Sequence, residues 1–306
     1  MAASAHEVAV GLQRILVATD LSPASASPVR FALDLARAYH AKCYVFHSVG
    51  CMGYTLGGAE VEALATEAAD RDIHDLEREL QESGDLKDVA YKMMVRKGDI
   101  RQEIEAVIRD EHIDLIVLGT HARTGVGRLL RGSIAEQIFR AVRCPVLTIG
   151  PCARCDHPPR IRRILFPTDL TAESRQIFAQ AVEVANRNDS QLVLLHTVMP
   201  FPVSDPGNAW YPGSDLSKSC QTVHDSVLAK MKQLAASAGK LAHTPEFVVE
   251  FQYPAEAICE AADAYRADLV IMGVKHASAF RAGHMPWATA HEVVCRAGCP
   301  VLTLRH

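Results

Sequence analysis

The chain has 306 residues, 49% of them hydrophobic and 22% charged, enough apolar material for two cores at ~100–200 residues per domain. A formal net charge of −4 and a pI near 6.4 exclude a broadly basic surface for nucleic acid and a polybasic membrane anchor. No apolar run reaches the roughly 18 residues of a spanning helix, and Met1 to Val10 lacks the layout of a signal peptide, so the expected compartment is the cytoplasm.

In chain order, Ile15–Thr19 is a short apolar run that predicts a first strand. Ser22 and Pro23 then supply a good N-cap and first helical residue. Phe31, Leu35 and Ala38 share one helical face up to Tyr39, and Cys43–His47 is the next apolar run. Val61, Leu64, Ala68, Ile73, Leu76 and Leu80 fall mostly at helical spacing. Val89, Tyr91, Met93 and Val95 alternate as in a strand. Ile100, Ile104, Val107 and Ile108 form a further helical stripe. Leu115–Leu118 then reads as a strand, followed by a glycine-rich loop, a helix from about Ser133 and a last strand at Val146–Ile149. Continuous apolar strands alternating with helices imply a parallel sheet covered on both faces.

The same order then returns. Arg14-Ile-Leu-Val-Ala-Thr-Asp-Leu-Ser22 recurs as Arg163-Ile-Leu-Phe-Pro-Thr-Asp-Leu-Thr171, and Asp114-Leu-Ile-Val-Leu-Gly119 as Asp268-Leu-Val-Ile-Met-Gly273. Cys144-Pro-Val-Leu-Thr148 recurs as Cys299-Pro-Val-Leu-Thr303. The second half places its third strand at Glu246–Gln252 and a helix bearing Ile258, Ala261, Ala262 and Tyr265 after it. A proline-bearing linker, Gly150 to Pro159, separates halves expected at 1–150 and 160–306.

In such sheets a ligand sits beyond the carboxyl ends of the strands, at the switch in strand order. Two first-half segments fall there: Ala18, Thr19 and Asp20 closing the first strand, and Gly119 to Ser133 running from a strand into a helix. Gly119, Gly125 and Gly127 permit close backbone approach. Gly132 and Ser133 open a helix whose free N–H groups attract an anion, and Ser133-Ile-Ala-Glu136 fits a capping box. Arg123, Arg128 and Arg131 add positive charge. On spacing alone, a phosphate site and a glycine-rich turn with a capped helix both remain open.

These motifs together resemble the universal stress protein family over nearly the whole chain. ATP-binding members carry a glycine, two residues, a glycine, nine residues, then glycine and serine or threonine. Here Gly119, Ala122 and Gly132-Ser133 hold those positions, with Ala122 in place of the inner glycine. The resemblance implies two tandem, Rossmann-like, doubly wound α/β domains of five strands each. It also implies ATP as ligand, with magnesium accompanying it. The nucleotide would be bound by Ala18, Thr19, Asp20, Ser48, Gly119, Ala122, Arg123, Gly125, Gly132, Ser133 and Ile134. Asp20 is assigned to the ribose or adenine end, and the Ser48 backbone to adenine.

The second half keeps Pro167-Thr-Asp169 but departs after Gly273, with His276 at the inner glycine and Trp287-Ala288 at the glycine–serine pair. Pro286 and Trp287 make a poor phosphate cradle. Ser/His/Asp sets, paired carboxylates and a Walker-type lysine are absent around the first-half loop, so a sensor or regulator is expected rather than a dedicated enzyme. The alternatives are an ATP-independent scaffold and a slow ATP hydrolase. The last strands of the two halves are expected to pair, as in a dimer of single domains, and whole chains to form homodimers. No metal site is expected at Cys152, Cys155 and His157, which lack a second ligand pair. His47 and His196 repeat at equivalent strand ends, which favours a structural role. The proline-rich stretch Pro200 to Gly213, with Trp210 and Tyr211, is a cleft cover or a satellite of the second core.

Overall fold

Each half builds its sheet outward from its first strand. In the first half, β1 (Arg14–Ala18) lies between β2 (Lys42–Val49) and β4 (Leu115–Gly119), β3 (Ala90–Lys97) pairs with β2, and β5 (Val146–Ile149) pairs with β4, all parallel. The second half repeats this with β6 (Arg163–Pro167), β7 (Gln191–Thr197), β8 (Glu246–Glu250), β9 (Leu269–Val274) and β10 (Val301–Arg305). The helices are α1 (Ala26–Tyr39), α2 (Gly58–Glu82), α3 (Ile100–Asp110), α4 (Ala172–Asn188), α5 (Leu216–Ser237), α6 (Pro254–Ala264) and α7 (Ala288–Arg296). This computed structural model describes residues 11–49, 58–120, 138, 142, 144–154, 159–199, 216–274 and 288–305.

The strands run as near-continuous apolar segments because both sheet faces are covered. In β1, successive residues Ile15, Leu16 and Val17 are all fully buried. Ile15 and Val17 face α1 and its residues Val29 and Leu33, while Leu16 joins Ile104 and Val107 of α3 on the other face. Of the helix expected from Ser133, Ile138 and Val142 are described. Both are buried, and Val142 N donates to Ile138 O at 3.1 Å, the one-turn spacing of an α-helix.

The two sheets join edge to edge. β5 and β10 pair antiparallel, with Leu147 opposite Leu302 and Thr303 opposite Val146, giving ten strands in the order β3-β2-β1-β4-β5-β10-β9-β6-β7-β8. Thr303 Oγ1 donates to Val146 O at 3.1 Å across the junction. Two strand edges that would otherwise lie open satisfy each other. On the face covered by α1 and α4, one apolar cluster runs through the junction and includes Leu115, Leu147, Leu269 and Leu302. On the opposite face the clusters stay separate, one around α3 and one around α6 and α7.

Small devices fix the frame in both copies. Asp114 accepts from the N–H groups of Gln13 (2.9 Å) and Arg14 (2.8 Å), tying the start of β1 to the start of β4. Asp268 does the same for Arg162 (2.8 Å) and Arg163 (2.9 Å). The linker docks on the second half: Arg154 N donates to Gly298 O at 2.9 Å, and a Cβ added at Gly150 would sit 2.3 Å from the Val294 carbonyl oxygen of α7.

Candidate functional site

The strand order turns at β1. The chain leaves it towards β2 on one side, while β4 flanks it on the other, so the ends of β1 and β4 border the crevice where a ligand fits. This brings Ala18, Thr19 and Asp20 beside Gly119, the last residue of β4, with Ser48 on the adjacent β2. The remaining residues expected at the site, Ala122, Arg123, Gly125, Gly132, Ser133 and Ile134, lie outside the described residues.

The turn after β1 is held by its own side chains. Thr19 is buried, its N–H donates to Phe46 O at 2.9 Å, and its hydroxyl meets Ser25 Oγ at 2.7 Å while accepting from Leu21 N at 3.0 Å. Leu21 adopts a positive φ of 59°, unusual for a branched side chain, so this turn is locally strained. Asp20 is exposed, and its Oδ1 accepts from Ser22 N at 3.0 Å and Ser22 Oγ at 2.5 Å. Ser22 stands at the expected N-cap, ahead of Pro23, but its hydroxyl turns back to Asp20 and makes no capping bond. A 3-10 turn, Pro23–Ser25, precedes α1, which starts at Ala26. Asp20 thus presents an exposed carboxylate braced through Oδ1 by Ser22.

His47 completes the turn from β2. Its Nδ1 lies 2.9 Å from Thr19 O, and because a carbonyl only accepts, this nitrogen carries the proton. The imidazole therefore bridges the ends of β1 and β2. Ser48, near the end of β2, is half-buried, and its Oγ donates weakly to Gly98 O at 3.4 Å. Beside Gly119, Thr120 is buried and its N–H donates to Ile149 O at 3.0 Å, anchoring the point where the chain leaves β4.

The second half reproduces the turn. Thr168 N donates to Leu195 O at 2.9 Å, Leu170 N to Thr168 Oγ1 at 3.1 Å, and Leu170 has φ 59°. Asp169 Oδ1 accepts from Thr171 N at 3.1 Å, from Thr171 Oγ1 at 2.7 Å and from the Ser174 hydroxyl. His196 Nδ1 donates to Thr168 O at 2.7 Å. The two histidines thus do the same job, which a repeated histidine at equivalent strand ends signals in the sequence. The aspartates Asp114 and Asp268 carried the same signal of repetition, and their clamping role emerges only from the register of β1 and β4.

Other candidates separate from the crevice. Cys152 is exposed on the linker, whereas Cys155 and His157 lie outside the described residues, as does the stretch from Pro200 to Gly213. Among the described residues no group of three histidines, cysteines or acids is placed to hold a metal. Cys43 is buried in β2, and burial pushes its thiol up to about 12, which keeps it protonated and inert. Burial likewise raises Cys144, with the nearby Asp114 carboxylate adding to the effect. An apolar cavity of about 70 Å³ lies on the junction, between Leu147, Leu302, Phe31 and Val184, and is too small for a nucleotide. Among the described residues no helix is long and apolar enough to cross a membrane.

The chain matches known proteins over this same architecture. A universal stress protein of Methanocaldococcus jannaschii is 27% identical over 142 residues, covering 45% of this chain and 81% of that one. Among solved structures, a universal stress protein from Archaeoglobus fulgidus superposes with a TM-score of 0.70 at 16% identity, covering 98% of each chain. A functionally unknown protein from Pseudomonas aeruginosa superposes at 0.65 with 17% identity, covering 98% of this chain and 95% of that one. The sequence model of the Universal stress protein family matches residues 11–150 and again 160–305, so the chain belongs to the universal stress protein family as a tandem two-domain member.

Proposed function

We propose that this protein is an adenine-nucleotide-binding regulator of a stress response, holding one ATP with its magnesium in the domain of residues 1–150. The domain of residues 160–306 lacks a triphosphate cradle. The observation that carries this reading is the junction of Asp20 and Gly119 at the switch in strand order. One strand end offers a braced carboxylate, and the other leads into the sequence Gly132-Ser133 at the family's spacing from Gly119. In this reading Ala18, Thr19 and Asp20 meet the ribose and adenine, the Ser48 backbone meets adenine, and the segment from Gly119 to Ile134 meets the phosphates. The protein senses or relays nucleotide state in the cytoplasm and has no dedicated catalysis. The test is chromatography of the nucleotide released by denaturing the purified chain, followed by calorimetry of the stripped protein with ATP. One ATP per chain, weakened by Asp20→Ala, is expected. Failure of the stripped protein to bind ATP overturns the reading.

A scaffold role is favoured by a different observation. The β5–β10 pairing turns two domains into one continuous sheet whatever the ligand does. If ATP does not bind, this edge-to-edge assembly and further pairing of whole chains become the function.

A further inference from the structure

The two halves differ where their first two helices meet. In the first half, Arg30 of α1 bridges to Glu79 (3.2 Å) in α2 and to Asp85 (2.9 Å) just beyond it. The repeat aligns Leu80 and Ser83 with Leu234 and Ser237, each serine hydroxyl donating to the leucine carbonyl three residues before it. It aligns the left-handed caps His40 and Asp189 at the ends of α1 and α4. In that alignment Ala179, Gln233 and Gly239 replace Arg30, Glu79 and Asp85, so all three charges of the tie between α1 and α2 are missing from the matching positions of α4 and α5. A second tie is kept in both halves, by Arg37 to Asp85 O and Lys87 O in one and by Asn186 to Lys240 O in the other.

The second half holds a cavity of about 470 Å³, lined at one of these positions by Gln233 and within the ~300–1,000 Å³ of small-molecule sites. It opens between α4 and α5, beneath the turn after β6. Arg175, Lys230, His196, Thr171, Gln233, Ser237 and the carboxylate-bearing Asp169 are in its wall. Two of these are new charges. Arg175 stands where the first half has Ala26, and Lys230 where it has Leu76, which packs against the apolar core. Among the described residues no ion pair neutralises either one. The Asp169 carboxylate is engaged by Thr171 and Ser174. His196 gives its Nδ1 proton to Thr168 O, which leaves Nε2 as its other polar atom.

The geometry points to a second ligand site, distinct from the first-half crevice: the α4–α5 cavity takes a small hydroxylated phosphate monoester. The guanidinium of Arg175 and the ammonium of Lys230 supply charge-assisted donors to the phosphate. Gln233, Ser237, Thr171 and His196 Nε2 supply polar partners for hydroxyl groups, and Leu170, Val227 and Leu234 give the cavity an apolar side. This inference stands apart from the ATP reading, because none of its residues belongs to the first half.

The test is calorimetry of the full chain with ribose 5-phosphate, inorganic phosphate and ribose. Ribose 5-phosphate should bind saturably, inorganic phosphate more weakly, and ribose not at all. The double variant Arg175→Ala, Lys230→Leu restores the first-half residues at exposed positions and should fold as the wild type by thermal melting. It should weaken ribose 5-phosphate by about tenfold or more, the loss of one to two charge-assisted hydrogen bonds. Unchanged affinity in that variant, ribose binding as tightly as its phosphate, or no saturable binding of either phosphate would each overturn the site. Gly132→Trp should leave ribose 5-phosphate binding intact, and the double variant should leave ATP binding intact. Loss of ATP binding in the double variant would instead place ATP in this cavity, against both assignments.

Discussion

The ends of β1 and β6 are built alike, with Thr19, Asp20, Leu21 and His47 matched in detail by Thr168, Asp169, Leu170 and His196. What faces these turns has diverged. After Gly119 the first half runs through glycines to Gly132-Ser133, whereas after Gly273 the second runs to Pro286 and Trp287. Between the helices the divergence is reversed: the first half carries the Arg30 ion pairs, and the second carries a cavity lined by Arg175 and Lys230. A duplicated frame conserves its strand-end geometry because the sheet depends on it. The segments outside the sheet are free to acquire separate ligands.

The largest expected effect concerns the diverged loops. Gly132→Trp should weaken ATP by more than ~100-fold through overpacking where the phosphates approach, and Trp287→Ala should leave ATP affinity unchanged. Calorimetry that finds two equivalent ATP sites would break the comparison between the halves.

The next effect concerns the frame. Phe46 and Phe166 are fully buried, one in each half, and truncating either to alanine should cost about 3–5 kcal/mol in urea unfolding. Because one apolar cluster runs through the β5–β10 junction, each variant should unfold in a single transition. Two transitions would show halves that fold independently.

The linker comes third. Gly150→Ala forces a Cβ against the Val294 carbonyl and should cost about 1–3 kcal/mol, by the same unfolding assay. No cost would mean the linker does not dock on α7.

A smaller effect separates the two second strands. Cys43 of β2 is matched by Leu192 of β7. With its pKa raised from 9.0 to about 12 by burial, Cys43 stays protonated in the fold while the unfolded chain ionises earlier. Its contribution to stability is full below pH 9 and declines as the pH climbs towards 12. At pH 10 wild type should therefore have lost about 1 kcal/mol more than Cys43→Ala, relative to pH 8. Parallel pH profiles for the two proteins would show that Cys43 is not buried.

The smallest effect is expected at Cys152 and Cys155. Cys152 is exposed and outside both cores, so replacing the pair with serine should change stability by less than ~0.5 kcal/mol. Stoichiometric zinc in the wild type, lost with stability in the variant, would contradict this.

Much of the molecule is legible in the sequence because its strands are apolar on both faces and repeat in order. Ile15–Val17, Leu115–Leu118 and Val146–Ile149 announce themselves as strands through uninterrupted hydrophobicity, and each recurs in the second half. The helix boundaries are less legible. Ser22 before Pro23 does stand at an N-cap, yet its hydroxyl donates to Asp20 and makes no capping bond, and α1 starts only at Ala26. Asp99, which caps α3 by accepting from Gln102 N at 3.1 Å, has no flanking signal as strong as Ser-Pro.

The sequence by itself determines that there are two copies of one α/β frame and that only the first keeps Gly132-Ser133 at the family's spacing from Gly119, with Ala122 at the inner glycine, since both facts are local patterns along the chain. Tertiary structure alone decides three other things. It sets β5 against β10, makes clamps of Asp114 and Asp268, and brings Arg175 of α4 to the same cavity as Lys230 of α5, 55 residues later. Each depends on elements distant in sequence meeting in one register, and pairwise register is fixed by packing both sheet faces at once.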